Sequence, residues 1–287
     1  MVTKTVASYH FDTLAETISK LNEEDCTIIA GGTDVMVLHK SRRGVAPKIA
    51  KPVVFIDHLR ELKQTYLEDG DLHIGACCTY GEMLEHSLIP NIFKKAIREV
   101  AAPAIRNRGT LGGNICNASP AGDMLPLLYI FNAKLVLRSV NEDRIVEIHD
   151  FIQGPRRIAR QQNELLVEII LPEVVNEARL IFEKIANRRA DAISKVSFAG
   201  LLQVQAGKVA DARFAFGAVG PTMVRSQETE KKLLSQVYPL KVEVLDEVVA
   251  DFASIINPID DQRSTAAYRK TVALKLLRYF LTSKELF

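Results

Sequence analysis

The chain has no long apolar run: nothing in its 287 residues approaches the ~18–20 needed to cross a bilayer. The opening segment, Met1 to Ala7, has no apolar signal core, so a cytoplasmic protein without a membrane span is expected. It has no excess of one charge either. The net charge is +2, with short basic patches only at 40–43 and 156–160; this is no polyanion signal, and nucleic acid is discounted as a partner. Cysteine is scarce. Cys26, Cys77, Cys78 and Cys116 make no disulfide framework, the adjacent pair is poorly placed to bond to itself, and no C-x-x-C spacing exists for zinc or an iron–sulfur cluster. The six histidines are scattered without metal-ligand spacing. Neither G-x-G-x-x-G nor G-x-x-x-x-G-K-S/T occurs, and no acid–base constellation, internal repeat or low-complexity tract stands out.

What the chain does have is core material: 47% of its residues are hydrophobic and 25% charged, over a length that accommodates two domains. Thr13-x-x-Glu16 reads as a capping box opening a helix that ends near Asn22. Segments 27–30 and 53–56 read as strands, and 72–75 as another behind the Asp69-Gly70 turn. A helical turn is expected at 35–38. Further helices are expected over 80–85, 92–100 and 124–131, with Pro103 ending the second; 133–137 and 144–148 form a hairpin, and 165–171 a strand. This alternation is an α/β signature. From about residue 176 the character changes: strand-like runs at 196–205 and 209–219 meet at Ala206-Gly-Lys208, and helices follow over 225–235, 242–256 and 264–281. A separate α+β domain is expected there.

Two glycine-bearing stretches stand out. The longer runs from Arg106 to Asp123 and carries Gly109, Gly112 and Gly113 among Thr110, Asn114, Asn117 and Ser119; the shorter, Ala30-Gly-Gly-Thr-Asp34, follows an apolar strand and leads into a helix start. Glycine lets the backbone turn at positive φ and press its N–H groups against a ligand, and successive N–H groups form concave anion sites, as does a helix N-terminus. Arg106 and Arg108 add positive charge at the entrance. A surface turn and a diphosphate cradle both answer to such a cluster.

Taken together, Ala30-Gly-Gly-Thr-Asp34 and Ile-Arg-Asn-x-Gly-Thr-Leu-Gly-Gly-Asn-x-x-x-Ala-Ser-Pro-Ala-Gly-Asp (105–123) resemble the FAD-binding medium subunit of molybdenum hydroxylases, the xanthine dehydrogenase and carbon monoxide dehydrogenase flavoprotein family. Shorter matches agree in order: Phe55-Ile-Asp57, Ile74-Gly-Ala76, Asp150-Phe151, Lys184 with Arg188-Arg189, and Asp261-x-Arg-Ser-x-x-x-Tyr-Arg269. The resemblance implies an α/β, two-part FAD-binding domain (PCMH-type, vanillyl-alcohol-oxidase-like) at 1–175, divided into subdomains at 1–57 and 58–175. A smaller α+β domain, a three-stranded antiparallel sheet with helices, is implied at 176–287.

The resemblance further implies FAD contacts at Thr27, Ile28, Ile29, Ala30, Gly31, Gly32, Thr33, Asp34 and Val35. A second set follows at Val100, Thr110, Leu111, Gly112, Gly113, Asn114, Asp123, Leu166 and Lys184. Thr33, Thr110 and Asn114 would supply side-chain donors. Asp123 would accept from a sugar hydroxyl, or else cap the helix beginning near Met124; Lys184 would place a cation near the flavin or diphosphate, or else form a surface ion pair. Arg188-Arg189 and Tyr268-Arg269 read as structural or subunit-contact residues. By the same resemblance, a large partner subunit holds molybdopterin, a small one holds 2Fe–2S clusters, and this chain passes their electrons through FAD to NAD+ or another acceptor, in a heterotrimer or a dimer of heterotrimers. No cysteine follows Cys116, so the variant with an extra iron–sulfur cluster in this subunit is not expected. Cys116 itself departs from the unreactive residue expected in the longer stretch. An autonomous FAD oxidoreductase and a flavin-free binding module are the alternatives.

Overall fold

The computed structural model describes residues 6–41, 48–172 and 178–283; Arg42 and Arg43 of the first basic patch, and the domain boundary expected at 175/176, lie outside them. At the N-terminus β1 (Ser8–His10) precedes Thr13, which accepts from the Glu16 N–H while the Glu16 carboxylate accepts from the Thr13 N–H. This reciprocal cap fixes the start of α1 (Leu14–Glu23), whose Leu14, Ile18 and Leu21 face inward. Then come β2 (Thr27–Ile29), the short α2 (Val35–Leu38) and β3 (Val53–Phe55). The three strands form a parallel sheet in the order β1-β3-β2.

The next unit is built on β4 (Thr65–Glu68) and β5 (Asp71–Gly75), joined by Asp69 and Gly70 at φ 50° and 89°, the tight turn that matches strand twist. Strand β4 escapes sequence reading because it is an edge strand with little apolar alternation. Its Tyr66 and Leu67 stay exposed. Helices α3 (Tyr80–Glu85) and α4 (Asn91–Glu99) follow. Pro103 does not end α4, which stops at Glu99; it opens a further turn, α5 (Pro103–Arg106), at the position where its missing N–H costs nothing.

The longer glycine-bearing stretch is no mere surface turn but partly helical: α6 spans Leu111–Asn117, and Thr110 Oγ1 caps it by accepting from the Gly113 N–H at 3.0 Å. Helix α7 (Leu125–Ile130) is buried all round. The hairpin β6 (Lys134–Arg138) and β7 (Asp143–Glu147), the small α8 (Ile148–Phe151), the two-stranded β8 (Ile152–Gly154) and β9 (Arg157–Ile158), and β10 (Leu165–Leu171) complete this part. A five-stranded antiparallel sheet runs β4-β5-β10-β6-β7. Its central strand is covered on both sides: Val167 and Ile170 pack toward α1 and the first sheet, Leu166 and Ile169 toward α4, α6 and α7. That explains an apolar run without alternation.

The C-terminal unit is the three-stranded antiparallel sheet of β11 (Arg179–Ile185), β12 (Val196–Gln205) and β13 (Lys208–Gly217). Helices α9 (Gln227–Leu233), α10 (Val242–Ile255) and α11 (Ala266–Thr282) cover one face around Phe198, Phe214, Phe216, Phe252 and Phe280. The other face sends Phe182, Ala199, Leu201 and Ala215 into the same cluster as α7. The architecture is thus the two-part α/β domain followed by a three-stranded α+β unit. Arg269 proves structural: 4% exposed, it donates to the carbonyls of Lys195 and Ala218 and to Asp261. Among the described residues no helix is long and apolar enough to cross a membrane, and no group of His, Cys, Asp or Glu is placed to hold a metal.

Candidate functional site

The two glycine stretches meet. A Cβ on Gly31 would sit 1.6 Å from the Arg108 carbonyl oxygen, and one on Gly112 would sit 2.7 Å from Ala76 Cβ, so at both positions the missing side chain permits backbone-to-backbone approach. Hydrogen bonds fix the contact of the second stretch with the end of β5. The Gly112 N–H donates to Ala76 O at 3.0 Å, Leu111 N–H to Cys78 O at 3.1 Å, and Tyr80 N–H to Gly109 O at 3.0 Å. Of the glycines expected to turn at positive φ, only Gly32 does so, at 73°. Its loop leads directly into α2. Among the described residues the N–H groups of Gly31, Gly32, Thr33 and Asp34 have no protein acceptor, leaving a run of donors for an anion.

Two adjoining cavities flank this contact. One, of about 380 Å³, is lined by Ile28 to Val35, Tyr80, Val100, Ala101, Thr110, Gly113, Asn114 and Cys116 among others. The second, of about 340 Å³, is lined by Thr27, Ile28, Ala30, Ile56, Ala76, Gly112, Gly113, Cys116 and Leu166, with Asp25, Lys51 and Arg160 at its rim. Ile28, Ala30, Gly113 and Cys116 belong to both. They form one groove with polar and apolar lining along both parts, within the size of small-ligand sites.

The structure thus brings together Thr27, Ile28, Ile29, Ala30, Gly31, Gly32, Thr33, Asp34, Val35, Val100, Thr110, Gly112, Gly113, Asn114 and Leu166. Leu111 is buried behind the groove in the core. Asp123 and Lys184 stand outside the lining of these two cavities, with Asp123 near Tyr80; they bind each other, Lys184 Nζ to Asp123 Oδ2 at 2.7 Å, with the Asp123 and Lys184 side chains 11% and 4% exposed. The pair is buried, not a surface bridge, and Asp123 is no helix cap, since α7 begins at Leu125 with Met124 at its N-cap and no side-chain cap. Burial pushes the Asp123 carboxyl up, against the opposing pull of Lys184 and Ser194. The arginines expected to lend charge at the entrance are engaged elsewhere. Arg106 donates to the carbonyls of Arg98, Val100 and Ala101, and Arg108 pairs with Asp57 at 3.1 Å. Sequence reading missed Tyr80, Ala101 and the rim residues, which only the fold brings to the groove. Burial, with Asp123 and Asp34 nearby, pushes the Tyr80 phenol well above its usual range. The Cys116 thiol is pushed up to about 11 by burial and stays protonated.

Residues 4–174 match the family model described as the FAD binding domain in molybdopterin dehydrogenase, and 182–283 match that of the CO dehydrogenase flavoprotein C-terminal domain. The chain belongs to the FAD-binding family of molybdopterin dehydrogenases. It is 32% identical to the xanthine dehydrogenase FAD-binding subunit of Escherichia coli O157:H7, covering 92% of this chain and 90% of that one. It is 28% identical to the glyceraldehyde dehydrogenase medium chain of Sulfolobus acidocaldarius, covering 91% and 92%. The reconstituted CO dehydrogenase from Oligotropha carboxidovorans contains a chain that superposes with a TM-score of 0.87 at 26% identity, covering 97% and 96%. This chain is therefore an FAD-binding oxidoreductase subunit of the molybdenum hydroxylase type. The groove fits that cofactor. It offers free amides for a diphosphate, a buried Tyr80 hydroxyl and Asn114 Oδ1 that lack protein partners, and a wall closed by backbone packing at Gly31 and Gly112, where any Cβ would collide with Arg108 or Ala76.

Proposed function

We propose that the groove between residues 25–38 and 100–117 holds FAD, and that the chain relays electrons within a multi-subunit hydroxylase. It would take them from 2Fe–2S clusters of a small partner subunit and pass them to NAD+ or another acceptor, while a molybdopterin-bearing large subunit oxidises the substrate. A heterotrimer, or a dimer of heterotrimers, is the matching assembly. The observation that carries this reading is the run of unengaged N–H groups from Gly31 to Asp34 at a groove already closed by glycine contacts. Fixed backbone dipoles neutralise a diphosphate without burying extra charged side chains, which would cost several kcal/mol per ion in desolvation. When bound, FAD supplies the redox chemistry. The chain's own residues bind and shield it: the amides at 31–34 and Thr33 take the phosphates, Tyr80 and Asn114 take polar groups of the ligand, and Ile28, Ala76 and Leu166 give it apolar walls.

Relatives named for xanthine, glyceraldehyde and caffeine share this one chain type, which supports placing substrate choice in another subunit. The test is the visible absorption spectrum of the purified chain, followed by chromatographic identification of released cofactor. Equimolar FAD is expected. No flavin after incubation with excess FAD overturns the reading. With FAD present, reduction by a dithionite-reduced iron–sulfur partner and reoxidation by NAD+ test the relay.

A further inference from the structure

Tyr80 opens α3 and lines the groove, yet it lies outside every motif that marks the cofactor site in the sequence. Its place is fixed twice. The Tyr80 N–H donates to Gly109 O at 3.0 Å, and its ring edge lies 3.5 Å from the point where a Cβ on Gly109 would stand. The residue is 3% exposed, and its hydroxyl has no hydrogen-bond partner among the described residues. The two carboxylates whose charge reaches it do not bond to it. Asp123 accepts from Lys184 and Ser194, and Asp34 stands at the start of α2. Burial first, and then these two charges, keep the proton on the phenol oxygen, so the group is a donor.

A buried donor without an acceptor has given up its hydrogen bonds to water and gained none in return, and interiors leave few such groups. Resting on the FAD reading above, we propose that the Tyr80 hydroxyl is an affinity-determining contact held for the cofactor: it weakens the fold of the cofactor-free chain and donates to an acceptor of FAD in the loaded one. A tyrosine that serves packing alone moves stability and affinity in the same direction. A hydroxyl held for a ligand moves them in opposite directions, because its removal relieves an unmet donor in the free protein and leaves an unmet acceptor in the complex.

The test uses the full chain with Tyr80→Phe, which keeps the ring against Gly109 and removes one oxygen. The FAD dissociation constant is expected to rise on the order of ten-fold, while the thermal and urea midpoints of the FAD-free chain stay level or rise. Tyr66→Phe is the control: its hydroxyl donates to Glu168 on the five-stranded sheet, away from the groove lining, and its loss should leave FAD binding as in the wild type. Unchanged FAD affinity in Tyr80→Phe, or a fall in the stability of the FAD-free chain, overturns the proposal. Labelling the seven tyrosines with carbon-13 at Cζ gives a readout that packing does not mimic. The NMR signal missing from Tyr80→Phe belongs to Tyr80, and in the wild type it must shift when FAD binds while that of Tyr66 stays in place. A Tyr80 signal unmoved by FAD refutes the contact whatever the affinities. A wild-type chain that binds no FAD sinks the functional reading and this proposal with it; one that binds FAD with Tyr80 silent sinks the proposal alone.

Discussion

Replacing Gly31 by alanine tests whether the groove depends on backbone contact. The new Cβ would lie 1.6 Å from the Arg108 carbonyl oxygen and 2.5 Å from its carbon. Neither is a side-chain atom that can swing away. Restoring an ordinary carbon–oxygen contact requires the two stretches to part by roughly 1.5–2 Å, and overpacking of this kind costs about 1–3 kcal/mol in stability. The same displacement pulls the amides of Gly31 to Asp34 away from the opposite wall, so FAD affinity should fall at least about ten-fold, or 1.4 kcal/mol. Two further glycines separate space from conformation. Gly32 is at φ 73° with only side-chain atoms, at 3.6 and 3.7 Å, near a new Cβ; Gly207 is also at φ 73° with nothing within 4 Å. Each alanine there should cost about 1–2 kcal/mol, but only Gly32→Ala should touch FAD binding, and less than Gly31→Ala. Flavin fluorescence titration gives the dissociation constants, and thermal denaturation with and without FAD gives the stabilities. Gly31→Ala binding FAD as tightly as the wild type would refute the contact argument outright; equal flavin losses for Gly31→Ala and Gly207→Ala would show a general stability effect.

Other expectations follow from single groups. Asp261 resists burial's upward push because the Arg263 and Ser264 N–H groups and Arg269 hold its carboxyl down to about 2, from 3.8. Its folded pKa is depressed, so it stabilises the fold above about pH 3.8 and that contribution is lost as pH falls toward 2. Asp261→Asn should therefore be less stable than wild type at pH 7 in urea titrations, with the gap narrowing over that acid range; a gap independent of pH refutes the assignment. Cys116, with its thiol raised to about 11, should react slowly with iodoacetamide at pH 8, and Cys116→Ala should keep FAD; rapid alkylation, or lost flavin, would give it a role this geometry does not. Phe280, fully buried against Phe198 and Phe214, should cost about 3–5 kcal/mol as Phe280→Ala, measured by chemical denaturation.

The groove was legible in outline because its defining contacts are backbone contacts, and glycine is the one residue whose presence marks them. Gly31 and Gly112 show in the sequence that something comes close; they do not show that it is the Arg108 carbonyl and Ala76. The same limit explains α6. Its glycines and asparagines are weak helix formers, and what makes Leu111–Asn117 helical is the Thr110 cap and the packing of Leu111 and Ile115 into the core. Edge strands β4 and β11 were hidden for a related reason, since pairing and not pattern defines them. Charged residues are legible only in part. Arg106, Arg108 and Lys184 show in the sequence as charges without partners, and the fold supplies each with one: three carbonyls, Asp57, and Asp123 with Glu99 O. The groove also offers an anion donors that no side-chain inventory contains, the N–H groups of Gly31 to Asp34. Flavin affinity in this chain should accordingly answer more to changes that move backbone than to changes that remove exposed charge.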